Sequence, residues 1–256
     1  MKGFLAALQF LTILPIQLKS VTEKELAWSM TYFPMAGFCI GLMLVAVSWL
    51  LTSVGIQSYL LCLFLIVFLV VITGGLHLDG LADTADGFLS GTSSGDMLVI
   101  MRDSRIGTMG VLSLVCVILT EIFLLKEVPR VFLPAAVLLM CLVSRWAMVL
   151  LMFLFPYARK EGKAMAYMAG RKNYIGILSS TLALLLAYLT WGFWGICLMA
   201  VVAIVVVIFG AYCSKKIGGI TGDTLGAANE IVQVVTLLVI YVMGRMNPCL
   251  VLWYLS

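Results

Sequence analysis

A chain of 256 residues that is 63% hydrophobic and only 11% charged, with a mean hydropathy of +1.16, is not a water-soluble domain; such domains carry about 25% charged residues. Its formal charge of +4 needs no nucleic acid, because basic loops on one side of a membrane account for it. Seven cysteines with no Cys-x-x-Cys pair argue against a disulfide framework or a cysteine metal site.

The first segment, 1–18, is apolar but carries Gln9, Pro15 and Gln17 and lacks a small-residue cleavage pattern. It reads as a re-entrant or interfacial helix, and no removable signal peptide is evident. Crossing the hydrocarbon core takes about 20 apolar residues. Seven stretches approach that: 33–51, 58–76, 107–125, 131–153, 175–190, 193–212 and a short one at 231–243, which the 249–255 tail could extend. The long apolar runs favour helices over barrel strands, which alternate. The expected fold is therefore an all-α polytopic integral membrane bundle of about seven transmembrane helices, forming one membrane-embedded domain over 1–256. Gly37 and Gly41 form a small-xxx-small pair suited to close helix approach.

Alternation of the spans places 1–32, 77–106, 155–174 and 214–230 on one side. Those segments hold Lys2, Lys19, Lys24, Arg102, Arg105, Arg159, Lys160, Lys163, Arg171, Lys172, Lys215 and Lys216. The other side holds Lys126, Arg130 and Arg245. The positive-inside rule then puts the polar segments in the cytoplasm.

Four of these segments carry chemistry. Gly74-Gly-Leu-His-Leu-Asp-Gly-Leu-Ala-Asp-Thr-Ala-Asp-Gly87 sets Asp79, Asp83 and Asp86 at i, i+4 and i+7. On a helix they fall within an arc of roughly 60°. Like charges so placed repel, and a bound cation resolves the conflict; carboxylates with retained waters suit magnesium or manganese. A solvated acidic helix end is the plain alternative. His77, the single histidine, reads equally as a local hydrogen-bonding residue or as part of the site.

Met101-Arg-Asp-Ser-Arg-Ile-Gly-Thr-Met-Gly110 offers Arg102 and Arg105 to phosphate and Asp103 as a further metal ligand; the arginines could also be ordinary membrane anchors. Phe155-Pro-Tyr-Ala-Arg-Lys-Glu-Gly162 adds Arg159 in a basic loop that could also face anionic lipid. Arg145 lies within the fourth span and needs an acid, a substrate phosphate or a wet cavity beside it. Gly218-Gly-Ile-Thr-Gly-Asp-Thr-Leu-Gly-Ala-Ala-Asn-Glu230 suits a tight turn against a ligand, through Thr221 and its glycines. Asp223 and Glu230 share a face if the stretch is helical, with Asn229 beside it. If two cations clamp a phosphoryl group, three carboxylates on one helix face cannot surround them, so Asp223 is expected across the cavity from Asp79, with Asp103 as the competing donor. Acids for metal and arginines for phosphate describe phosphoryl-group chemistry. No Ser-His-Asp set, Walker-type loop or zinc spacing is present.

Together the four segments, with Leu11-Thr-Ile-Leu-Pro15 and Phe33-Pro-Met-Ala-Gly37, resemble the signature segments of the cobalamin synthase family, the adenosylcobinamide-GDP ribazoletransferases. The resemblance spans nearly the whole chain. It implies a membrane transferase joining adenosylcobinamide-GDP to alpha-ribazole or its 5′-phosphate, with attack by the 5′ phosphate or hydroxyl and release of GMP. The product is adenosylcobalamin or its 5′-phosphate. It also implies Mg2+ as cofactor, with Asp79, Asp83, Asp86, Asp103 and Asp223 as catalytic ligands. His77, Arg102, Arg105, Arg145, Arg159, Thr221, Asn229 and Glu230 are the expected substrate contacts. The setting would be the cell inner membrane, multi-pass, with the site facing the cytoplasm; the bundle could work as a homo-oligomer. The acidic motif is also similar to that of CDP-alcohol phosphatidyltransferases, but Ala82-Asp83 stands where those enzymes carry Ala-Arg. A secondary transporter is the alternative of another class, and the lack of a visible repeat speaks against it.

Overall fold

The computed structural model describes residues 2–18, 21–159 and 161–246, with the side chains of Lys163 and Met246 excepted. Lys19, Lys160, the Lys163 side chain and the 249–255 tail lie outside what is described. The described residues form twelve α-helices and no strand, apart from an isolated bridge between Tyr157 and Ile220.

Six spans are long and apolar enough to cross a membrane, and one bent pair raises the number to seven. Helix α2 (Glu23–Ser29) runs through a 3-10 turn into α3 (Phe33–Ser53). The other five are α7 (Thr108–Glu127), α8 (Leu133–Leu154), α10 (Asn173–Trp191), α11 (Phe193–Ile217) and α12 (Gly222–Met246). The bent pair is α4 (Ser58–Thr73) and α5 (Leu76–Ser90), which meet at 90°. Short helices α1 (Lys2–Leu11), α6 (Ser94–Ile100) and α9 (Lys163–Ala169) lie between them in sequence. At ten residues α1 is too short to span, in keeping with its broken composition.

Two boundaries differ from the sequence expectation. The second span ends at Thr73, not 76, because Gly74 and Gly75 both take left-handed angles, φ 62° and 68°. Two successive such residues stop an α-helix and re-aim the chain, at little cost only for glycine. The last helix begins at Gly222 rather than 231. Its glycine-rich start is helical because Thr221 caps it: the Thr221 hydroxyl accepts the Thr224 amide at 3.2 Å.

Helix α8 is the hub, with 78% of its most apolar stretch buried against 17% for α7. It packs on α3, α10, α11 and α12. Close approach of α3 depends on Gly37 and Gly41: a Cβ on Gly37 would strike the Cys141 carbonyl, and one on Gly41 would sit 2.8 Å from Leu138 Cα. Leu50, Val71, Leu112, Ile177, Leu189, Ile204 and Ile208 point outward and are exposed. Such a belt is solvated by acyl chains rather than water. The six described cysteines are free thiols.

Candidate active site

The 90° turn lays α5 across the end of the bundle, against α7 and the start of α12. The contact with α12 is glycine on helix. A Cβ at Gly80 would lie 2.7 Å from the Asp223 carbonyl, and one at Gly226 would lie 2.9 Å from the His77 carbonyl. Asp79 and Asp223, 144 residues apart in sequence, thus face each other across one cavity.

That cavity has a volume of about 240 Å³. His77, Asp79, Tyr157, Arg159 and Asp223 supply its polar wall, and Phe10, Leu76 and Met148 its apolar one. Arg159 is tied to Asp223 by an ion pair of 2.8 Å through Nη1. Among the described residues its Nε and Nη2 have no hydrogen-bond partner though buried, and the same holds for His77 Nε2. Asp83, one turn on from Asp79, stands within electrostatic reach of Asp79, Asp86, Asp223 and Arg159. Thr221 stays beneath the wall as the α12 cap and also donates its hydroxyl to Asp223 at 3.4 Å. Burial pushes the Tyr157 hydroxyl up, partly offset by the nearby Arg159 cation. A more open trough of about 550 Å³ adjoins this cavity and shares Phe10, Leu76 and Asp79 with it. Ile13, Ala82, Ile106 and Leu114 give most of its other lining an apolar character, with Thr73 beside them.

Asp86 has a different setting from its two helix neighbours. It is buried, and its oxygens accept the amides of Gly107 at 2.7 Å and Gly110 at 2.8 Å. It therefore caps α7, whose own N-cap Gly107 has no side chain to do so. The two glycines are required because any Cβ there would collide with the Asp86 carboxylate.

Several expected site residues sit elsewhere. Asp103 is gripped by Arg105, with Nη2 to Oδ2 at 2.7 Å and the Arg105 amide to Oδ1 at 3.0 Å. These bonds hold its carboxyl down at about 2. The pair is an exposed turn between α6 and α7 and does not line the cavity. Arg102 is exposed on the same turn and does not line the cavity, though it stands within electrostatic reach of Tyr157 in the cavity wall. Arg145 lines neither the acidic cluster nor the cavity, though its charge is felt by His77 in the cavity wall. It is fully buried deeper in the bundle, beside a void of about 10 Å³ that Glu121 and Glu230 also line. Asn229 donates to Glu230 at 2.9 Å in that core, and Gln233 does so at 3.1 Å. Glu121, Arg145 and Glu230 thus bring α7, α8 and α12 side by side around one buried charged group.

Three residues escaped sequence reasoning. Tyr157 sits in the Phe155–Gly162 segment, where a tyrosine alone signals no particular chemistry. Glu121 is an acid inside an apolar run, which alone marks it for attention. Phe10 carries no local signal; only the return of α1 to the bundle brings it to the cavity, where its ring lies 5.7 Å from Phe33 and 4.7 Å from Tyr167.

Among the described residues, no three His, Cys, Asp or Glu side chains stand close enough to enclose a metal ion by themselves. Three carboxylates, Asp79, Asp83 and Asp223, nonetheless share the neighbourhood of Arg159. The excess of negative charge suits a divalent cation. Magnesium is usually held by one or two carboxylates, with waters and substrate phosphates completing its shell, so an open set of this kind fits it.

The profile of the CobS family, described as cobalamin-5-phosphate synthase, matches residues 3–241. The chain belongs to this family. It is 37% identical over 231 residues to the adenosylcobinamide-GDP ribazoletransferase of Desulforamulus reducens, covering 89% of this chain and 91% of that one. It is 39% identical to proteins of the same description from Roseiflexus sp. (90% and 86% covered) and Escherichia coli O157:H7 (93% and 98%). No solved structure matches the chain.

Proposed function

We propose that the Asp79–Asp223 cavity joins adenosylcobinamide-GDP to alpha-ribazole or its 5′-phosphate and releases GMP. The observation that carries this reading is Arg159: one nitrogen is fixed on Asp223, while two buried ones have no partner among the described residues, in a cavity edged by acids. A guanidinium so held presents N–H donors to diphosphate oxygens without further ordering. Family membership supplies the substrates.

The nucleophile is not the 5′ phosphate or hydroxyl expected from the sequence. An acceptor carrying a 5′-phosphate yields a product that keeps it, so the 5′ oxygen is not the nucleophile. Another ribose hydroxyl forms the new bond to the cobinamide-side phosphorus. The bond from that phosphorus to the GMP oxygen breaks, and the hydroxyl proton is lost to the site or to water. Asp79, Asp83 and Asp223 would hold magnesium, which neutralises phosphate charge in such a transfer. Arg159 steadies the diphosphate, and the apolar trough beside Asp79 suits the flat apolar base of the acceptor. The Asp86 cap keeps the start of α7 against α5. A cavity at one end of the bundle suits an enzyme better than a transporter, whose site lies near the midplane. The surplus of Lys and Arg in the segments around the cavity supports a cytoplasmic face in the cell inner membrane.

The test is direct. Purified protein in lipid vesicles, given adenosylcobinamide-GDP, alpha-ribazole and magnesium, should release GMP, and a chelator should stop it. No GMP with either acceptor form would overturn the reading. Undiminished release in the chelator would remove the metal alone.

A further inference from the structure

The opposite end of the bundle holds a second cavity, which this reaction does not use. It lies where α3 ends, α4 begins, α7 ends and α8 begins, and its volume is about 410 Å³. Its floor is apolar and buried, with Leu61, Leu125 and Val137. Two cations, Lys126 and Arg130, line it as well.

Both cations have neutral partners. Lys126 lies over the Tyr59 ring at 5.5 Å, and Arg130 donates to Gln57 Oε1 at 2.7 Å. Among the described residues neither forms an ion pair, although the adjacent Glu127 faces Arg245 at 3.8 Å. Among the described residues no carboxylate answers the two positive charges of its walls. Trp49 in the cavity wall is 75% exposed, and Tyr59, under Lys126, is 48% exposed. Amphipathic rings of this kind collect at the headgroup level of a bilayer. The cavity thus joins headgroup depth to an apolar interior, with positive charge at the polar level.

We propose that this cavity binds one anionic phospholipid, its phosphate between Lys126 and Arg130 and an acyl chain along the Leu61–Val137 floor. Charge selects the headgroup: two cations without a carboxylate partner among the described residues favour an anionic phosphate over a zwitterionic headgroup. The apolar floor selects a lipid over a soluble phosphate.

Native mass spectrometry of the delipidated full chain in detergent would test it. The probes are phosphatidylglycerol, phosphatidylcholine with the same acyl chains, and glycerol phosphate. Phosphatidylglycerol should be retained in preference to the other two and should raise the thermal midpoint. The pair Lys126→Gln with Arg130→Gln should lower its retention about tenfold or more. The charge-keeping pair Lys126→Arg with Arg130→Lys should retain it, which keeps the test valid if the neutral pair folds poorly. Lys215→Gln with Lys216→Gln, at the other end, should change nothing. Equal retention of phosphatidylcholine, equal binding of glycerol phosphate, or undiminished retention by the neutral pair would overturn the proposal. So would loss of binding in the Lys215 and Lys216 variant.

Discussion

Asp79, Asp83, Asp86 and Asp223 look interchangeable as letters and differ in what their oxygens already do. Both Asp86 oxygens are engaged by backbone amides, whereas Asp223 shares Arg159 and Asp79 opens onto the cavity. Replacement by asparagine should separate them. Asp79→Asn, Asp83→Asn and Asp223→Asn should each keep the fold and lose turnover by about 100-fold or more. Asp223→Asn should also raise the magnesium needed for half-saturation, because it leaves Arg159 without its anchor. Normal turnover in all three at saturating magnesium would refute the assignment. Asp86→Asn turns an NH2 group toward one of two amide donors and should cost about 1–3 kcal/mol, read as a lower thermal midpoint. An unchanged midpoint would remove the cap from the account. Asp103 shows why composition alone misleads here: its carboxylate looks available in sequence, but Arg105 two residues on already occupies it.

The element that makes the site is the α4–α5 break. Gly75 has a left-handed backbone and nothing within 4 Å of where a Cβ would stand. Gly75→Ala should therefore cost only conformational strain, about 1–2 kcal/mol. Gly80 is the reverse case, a helical residue with the Asp223 carbonyl 2.7 Å from its would-be Cβ. Gly80→Ala must push α5 off α12 and so move Asp79 relative to Asp223. Turnover should fall by about 10-fold or more, since misplacement of about 1 Å can cost 100-fold, while the thermal midpoint changes modestly. Kinetics of purified Gly80→Ala equal to those of the unaltered chain would show that this contact does not set the cavity.

At the scale of the whole molecule, the polar segments gather at one end, which fits the alternation of spans. A single cysteine at Ser94, in a background lacking the native ones, should be labelled by a membrane-impermeant reagent only from the cytoplasmic side. Labelling from the other side alone would invert the proposed orientation. Much of this architecture was legible in advance. Apolar runs of span length marked the helices because a bilayer demands that length, and Gly37 and Gly41 marked a close crossing because small residues leave room for a backbone. The i, i+4, i+7 spacing put Asp79, Asp83 and Asp86 on one helix face because helical period is a local property. Pairing across the chain had no such local signal. That Asp86 turns to the amides of Gly107 and Gly110, that Arg145 sits with Glu121 and Glu230 instead of the acidic cluster, and that Phe10 closes the cavity were decided by the tertiary structure. Each depends on how helices remote in sequence pack, and a buried charge or amide takes whichever partner that packing brings within reach.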